Sequence, residues 1–334
     1  MFEALFYTLL ENGKIKCRLC PHECIVNDGK SGLCNVRKNV NGKLYSFVYG
    51  NPVAIHLDPV EKKPLYHFFP GTRILSIGTF GCNMKCFFCQ NSDISQANPN
   101  ESTTGKYPPS EIIHLASSRN GNIGIAYTYN EPVVYYEYMT DIAKMAKNIG
   151  LKNVMVTNGY INPEPLQILI EYIDAFNIDL KSFSNDFYKK YTSSTLSPVL
   201  ETIISVKKSG KHLEITNLVI PGLNDDKETF REMVRWIKNE CGEYTILHIS
   251  RYFPRYKSTL PPTSIDTLNE LYDIAKEYLH FVYTGNYEND KGKNTFCPDC
   301  NSLLIERQGY YTNIQGLDSQ GRCVTCSKKI IDNI

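Results

Sequence analysis

The chain has 334 residues, with 36 Lys and Arg against 35 Asp and Glu and a formal charge of +1. That length can bury a substantial core, and the near balance of charge removes any global field that would draw the protein to nucleic acid or an anionic membrane. No apolar run approaches the ~18 residues of a membrane span, and Met1 to Leu10 lacks the basic region and cleavage site of a secretory leader, so a cytoplasmic location with no membrane partner is expected.

Along the chain, Phe2, Leu5, Phe6, Leu9 and Leu10 recur at helical spacing ahead of Gly13, which predicts a short amphipathic helix. Asn41-Gly42, between Val40 and Lys43, reads as a hairpin turn. From Arg73 to Gly285, short β-branched or apolar runs alternate with longer helical patterns, as parallel βα units require. Strands are predicted near Arg73 to Thr79, Asn122 to Thr128, Lys152 to Thr157, Ala175 to Leu180, His212 to Leu218, Tyr244 to Ile249 and His280 to Thr284. Helices are predicted over Glu111 to Arg119, Val133 to Ile149, Pro165 to Tyr172, Pro198 to Ser209, Lys227 to Glu240 and Ile265 to Tyr278, with Gly150 and Gly210 placed as left-handed caps. Glu288 to Asn294 reads as a polar linker. The expected fold is α/β: an N-terminal cysteine-rich module (1–70), a partial (β/α) barrel (71–286) and a C-terminal zinc-ribbon-like module (287–334).

Polar and glycine-containing groups gather just after the predicted strands: Gly81 to Asn91, Asn130 and Glu131, Asn158 and Gly159, Asp179 with Lys181, Asn217, His248 with Ser250, and Gly285 with Asn286. In (β/α) barrels the C-terminal strand ends form the active face, so one wall of chemistry is expected.

The twelve cysteines fall in groups of four, three, one and four. Their spacing suits metal ligation in a reducing compartment rather than a disulfide framework. The middle group, Cys82, Cys86 and Cys89, offers three thiolates to a cubane with four irons, leaving one iron without a protein ligand in this loop. Structural zinc wants four ligands, and within twenty residues of the loop only His67 is available as a fourth.

CxxxCxxC with an aromatic, Phe88, before the third cysteine resembles the signature of radical S-adenosylmethionine (SAM) enzymes. The resemblance implies a [4Fe-4S] cluster whose open iron chelates the amino and carboxylate groups of SAM. It also implies reductive cleavage of SAM to a 5'-deoxyadenosyl radical that abstracts hydrogen from a substrate. Tyr129-Asn130-Glu131-Pro132 resembles the family's GGEP segment, with Tyr129 and Asn130 in place of the two glycines. On the same resemblance Thr157, Asn158, Asp179 and Lys181 approach the ribose and methionine moieties, Asn217 flanks the adenine, and His248 faces the nucleoside. Each also has an ordinary structural reading: a rim ion pair for Asp179 and Lys181, a core residue for His248, a turn for Asn158-Gly159, a helix start for Glu131. The whole chain resembles the radical SAM member of the AmmeMemoRadiSam system, which is related to pyruvate formate-lyase activating enzymes. That implies Memo-like and AMMECR-like partners and an electron donor such as flavodoxin or ferredoxin, and leaves the substrate unidentified. Activation of a glycyl radical enzyme is the alternative, and a non-catalytic metal scaffold a more distant one.

Cys297, Cys300, Cys323 and Cys326 form two CxxC knuckles, the pattern of a four-thiolate zinc ribbon. The basic and aromatic residues between them are nearly offset by acids, which argues against a nucleic-acid surface. Cys17, Cys20, Cys24 and Cys34 make a second four-ligand set, for zinc or for an auxiliary cluster, with His22 able to substitute. Cys241, alone at a helix end, reads as a buried inert thiol.

Overall fold

A computed structural model describes residues 1–97, 106–287 and 291–334. Part of the predicted linker, 288–290, lies outside these. Seven strands run parallel in sequence order: β1 (Arg73–Gly78), β2 (Asn122–Tyr127), β3 (Lys152–Thr157), β4 (Ala175–Asp179), β5 (His212–Val219), β6 (Ile246–Arg251) and β7 (Val282–Gly285). The intervening helices are α1 (Pro109–Ser118), α2 (Tyr136–Asn148), α3 (Pro163–Tyr172), α4 (Ser197–Lys208), α5 (Lys227–Cys241) and α6 (Ile265–Lys276). Gly150 and Gly210 follow α2 and α4 with φ of +79° and +72°, the left-handed stop that glycine adopts at least cost.

The sheet is an open partial barrel of eight strands, because Ala54–Pro59 adds an antiparallel edge to β1. The sequence pattern alone places that segment in the N-terminal module. The predicted opening helix is also absent: Phe2–Glu3 pairs with Tyr45 and Ser46, and Tyr7–Leu9 with residues 15–17. Phe6 turns the chain at φ +55°, lying edge-on to Tyr136, while Phe2 stacks on Tyr49 and Leu9 stays exposed. One helix this short is marginal in isolation, and here sheet pairing satisfies the backbone instead. The Asn41-Gly42 hairpin forms as expected, joining Arg37–Val40 to Lys43–Ser46.

The interior of the barrel has a floor. Side chains alternate along strands, so the residues two or four below the inward-facing ones at the strand ends also point inward. Ile74, Ala126, Val154 and Ala175 do so, and they pack on Val60, Leu65 and Phe68. The segment 60–69 therefore crosses beneath the active face. Its backbone is held by inward polar groups: the amides of Tyr66 and His67 donate to Glu214 at 2.8 to 3.0 Å, and Asn177 donates to the Pro64 carbonyl at 2.8 Å. Small inward residues at Ala126 and Ala175 leave room for this segment.

The closing segment forms a sheet of Thr295–Phe296, Leu303–Gln308 and Tyr311–Ile314. It docks on the floor. Arg307, buried, donates to the Tyr66 carbonyl at 2.9 Å and lies 4.2 Å over the Tyr66 ring, and Thr312 donates to Glu61 at 2.8 Å. Among the described residues no helix is long and apolar enough to cross a membrane.

Candidate active site

Above the floor lies a cavity of about 490 Å³, bounded by the C-terminal ends of the parallel strands and the loops that follow them. A volume in this range suits a small-molecule ligand. Cys82, Cys86 and Cys89 line one side with Phe88, which is buried against Phe87 and Phe187. Burial pushes the Cys86 thiol up to about 12 and the Cys82 thiol well above its ordinary value. A bound metal is what turns such buried thiols into thiolates. Two donors already aim at the Cys82 sulfur, the Met84 amide at 3.3 Å and the Asn158 side-chain amide at 3.7 Å. The loop thus suits an electron-rich sulfur, and hydrogen bonds of this kind are among the levers on cluster potential.

The same cavity is lined by Glu131, 2% exposed and linked to the Cys82 sulfur through Asn158. Its carboxylate accepts from Thr157 Oγ1 at 2.7 Å, from the Asn158 amide at 2.8 Å and from the Val133 amide at 3.1 Å. The last bond caps the turn Pro132–Tyr135, so the helix-start role and a place in the cavity coexist in one side chain. Burial, only partly offset by these donors, raises the Glu131 carboxyl to about 7. A cation placed beside it would restore its charge.

The neighbouring polar residues are partly committed to holding the site together. Asn130 ties the β2 loop to the β1 loop, donating to the Gly81 carbonyl at 2.8 Å and accepting from the Thr79 amide at 3.1 Å. Asn158 donates to Asn83 Oδ1 at 2.9 Å and accepts from the Tyr160 amide at 2.9 Å. Asp179 and Lys181 form an ion pair at 2.8 Å and both line the cavity. Burial works against the Lys181 charge, but Asp179 and Cys86 more than offset it and hold the ammonium above its ordinary value.

Two predicted contacts stand apart from the cavity. Thr216 and Leu218 face it, so Asn217 between them faces outward, donating to the Leu180 carbonyl at 2.8 Å and to the Met233 sulfur at 3.8 Å. His248 does point inward, but it lies two residues below the cavity-lining Ser250, in the floor. There it bonds Glu214 at 2.6 Å and packs edge-on to Tyr66. Its ordinary reading as a satisfied core residue fits this geometry.

Other lining residues were not foreseen. Lys62, Lys63 and Pro64 enter from the floor segment. The Lys63 ammonium meets Asp58 at 2.6 Å and lies 4.6 Å over the Tyr129 ring. Burial lowers it to about 8 despite Asp58. The one available signal was the departure from GGEP. Tyr129 keeps the φ of +70° that a glycine would adopt freely, at a cost of about 1–2 kcal/mol for a residue with a Cβ, while its hydroxyl reaches Asp58.

The closing thiols gather tightly: Cys297 and Cys326 sulfurs lie 3.4 Å apart, Cys300 and Cys323 sulfurs 3.6 Å. All four ligand atoms lie within 4.8 Å of one another, an arrangement able to hold a metal ion.

The radical SAM superfamily profile matches residues 76–237, from β1 through most of α5 and including the cysteine loop. Over 333 residues, 99% of both chains, the protein is 45% identical to uncharacterized protein MJ0808 of Methanocaldococcus jannaschii. The chain belongs to the radical SAM superfamily. Enzymes of this class share its catalytic domain and fold, and they generally use a [4Fe-4S] cluster with SAM. The pyruvate formate-lyase-activating enzyme of Clostridium pasteurianum is 25% identical over 181 residues, covering 52% of this chain and 75% of that one. Among solved structures, a radical SAM methyltransferase from Sphaerobacter thermophilus superposes with a TM-score of 0.52 at 13% identity over 71% of each chain. Streptococcus suis SuiB bound to S-adenosylmethionine gives a TM-score of 0.50 at 16% identity, over 64% of this chain and 52% of that one. These likenesses establish the radical SAM fold and, with the profile, a radical SAM enzyme.

Proposed function

We propose that Cys82, Cys86 and Cys89 ligate a [4Fe-4S] cluster and that Glu131 receives the amino group of SAM in the same cavity. When bound and reduced, the cluster would supply one electron to the sulfonium of SAM, which would give methionine and a 5'-deoxyadenosyl radical able to take hydrogen from a substrate. The protein's own part is to bind, orient and exclude water. The observation that carries this reading is the convergence of three thiols and one buried carboxylate on a single cavity at the C-terminal strand ends. Thr157 and the Asn158 amide fix the carboxylate, and Asn158 and Met84 fix the Cys82 sulfur. Asp179 and Lys181 at the rim are suited to the polar moieties of SAM. Lys62 and Lys63 enter from the floor at its edge.

Reduced, reconstituted protein should release 5'-deoxyadenosine and methionine from SAM in equal amounts. The Cys82, Cys86, Cys89 triple alanine variant should release neither; cleavage at the parent's rate would refute the assignment. The substrate belongs either to an AmmeMemoRadiSam system with Memo-like and AMMECR-like partners, or to glycyl radical activation. The second alternative is supported by similarity to activating enzymes, including 23% identity over 92% of the Escherichia coli pyruvate formate-lyase 1-activating enzyme. A flavodoxin or ferredoxin serves as electron donor in either case, and the closing quartet is read as structural zinc.

A further inference from the structure

The function proposed above gives Glu131, Asp179 and Lys181 to SAM and leaves two charged residues of the catalytic cavity without a task, Lys62 and Lys63. The opening cysteines, by contrast, line a separate cavity of only about 20 Å³. Three features set the two lysines apart from an ordinary buried ion pair.

The first is arrangement. Asp58 meets the Lys63 ammonium at 2.6 Å and the Lys62 ammonium at 3.0 Å. Both lysines line the cavity, whereas Asp58 does not. The carboxylate anchors the cations, and the cations are what the interior meets.

The second is charge. Two ammoniums share this one carboxylate. Glu61, beside them in the chain, is turned to the closing sheet, accepting from the Gly71 amide at 2.6 Å and from Thr312 at 2.8 Å. Asp179 is taken by Lys181 at 2.8 Å. Among the described residues, one positive charge of the two is therefore left without a counter-charge at the edge of the cavity. The Lys63 side chain is 2% exposed, and burial lowers its ammonium to about 8 although Asp58 opposes this. An anion in the cavity would offset both the burial and the repulsion between the lysines. Among the described residues no arginine lines the cavity. Lysine is a compact point charge, which suits phosphate and also a carboxylate held without a bidentate fork.

The third is backbone strain. Tyr129 stands where GGEP has its first glycine and keeps φ +70°. Its ring lies 4.6 Å under the Lys63 ammonium, and its hydroxyl donates to Asp58. Strained conformations persist where the surroundings over-determine them, and they gather at ligand clamps. Two residues on in the same loop, Glu131 bonds instead to Thr157 and the Asn158 amide at the end of β3. The lysines and the carboxylate given to SAM are thus held by different neighbours. Asp58, Lys62 and Lys63 also precede residue 76, where the superfamily match begins.

We propose that Lys62 and Lys63 form the subsite for an anionic group, phosphate or carboxylate, carried by the small-molecule substrate from which the radical takes hydrogen. The substrate's role, though not the anion site itself, rests on the function proposed above.

The test uses the full chain, reconstituted anaerobically and holding SAM, so that the open iron and the SAM site are filled. Acetic anhydride labels lysines, and peptide mass spectrometry reads each one. Inorganic phosphate or succinate, compared with chloride at equal ionic strength, should slow labelling of Lys62 at least fivefold. Lys43 and Lys227, exposed elsewhere, should keep their rates. The Cys82, Cys86, Cys89 triple alanine variant without SAM should show the same protection, which decides the anion site apart from the cluster. Protection at lower phosphate than succinate identifies phosphate as the group, and the reverse identifies carboxylate. Equal labelling in all three salts would overturn the subsite. So would protection by SAM alone with no further effect of either anion, since the lysines would then belong to SAM. Lys62→Gln leaves the Asp58–Lys63 pair in place and should lose at least half of the rise in Tm that phosphate gives the parent over chloride; an unchanged rise would overturn the site. For the substrate, small molecules from an extract of the cells that make the protein are split on an anion exchanger. The retained pool should raise 5'-deoxyadenosine formation at least threefold over the rate with SAM alone. A rise with the unretained pool only, or with neither, would overturn the substrate class.

Discussion

Replacing Glu131 by Gln separates two roles that the structure joins in one side chain. Raising its carboxyl from 4.5 to about 7 corresponds to a cost of about 3 kcal/mol for the charged form. Because the folded protein holds this proton more tightly than the unfolded chain does, the cost is absent below pH 4.5 and accrues as pH rises to about 7. The glutamine side chain carries no charge, but one of the three donors to the carboxylate would meet its amide NH2, at about 1–3 kcal/mol. Glu131→Gln should therefore be the less stable protein at pH 5 and draw level with, or pass, the parent at pH 8, as read by urea denaturation at both. Binding behaves differently. At pH 8, loss of a charge-assisted hydrogen bond of ~1.5–3 kcal/mol should weaken SAM binding ten- to a hundredfold. The parent's affinity should fall up to tenfold per pH step below about 7, where Glu131 must lose its proton to meet an ammonium, while the variant's stays flat. Anaerobic equilibrium dialysis with parallel iron determination measures this. A fully iron-loaded variant with the parent's affinity and pH profile would remove Glu131 from the site.

His248→Gln should cost about 1–3 kcal/mol in stability by weakening the bond to buried Glu214, yet leave SAM affinity within twofold; a tenfold loss would return His248 to the site. Gly78→Ala places a Cβ 2.8 Å from the Thr128 carbonyl and 3.0 Å from Tyr129 Cβ, so it should destabilise by about 1–3 kcal/mol and weaken SAM binding through displacement of the β2 loop, both measurable on the same preparation. The full chain should carry zinc at about one equivalent in the closing quartet, and Cys300→Ser should lose it and expose 295–331 to proteolysis at a concentration that leaves the parent intact.

The seven parallel strands and six helices were legible because each is a local pattern: an apolar run, a stop glycine, a polar group at a strand end. The cysteine loop and Glu131 were legible because their spacing is fixed within a few residues. What escaped was nonlocal. Ala54–Pro59 and the floor segment take their structure from partners far along the chain, as Tyr66 and His67 do from Glu214. Asn217 and His248 illustrate the same limit from the other side. Both fall near strand ends, but strand alternation turns one outward, and a two-residue step places the other in the floor.

That floor has a consequence for how the chain is made. Its contacts span 148 residues from Tyr66 to Glu214, 241 from Tyr66 to Arg307 and 251 from Glu61 to Thr312. Loop closures of this length must be met before their contacts give any return, so a fold built on them assembles slowly. During synthesis, residues 60–69 emerge early and wait: Glu214 appears only after well over half of the chain, and Arg307 and Thr312 near its end. The early strands β1 to β4 can pair as they appear and cover Val60, Leu65 and Phe68, but the other side of the segment, where Tyr66 and Glu61 meet Arg307 and Thr312, stays open until translation is nearly over. Ribosome-bound chains truncated before residue 303 should thus bind hydrophobic chaperones more strongly than the finished protein.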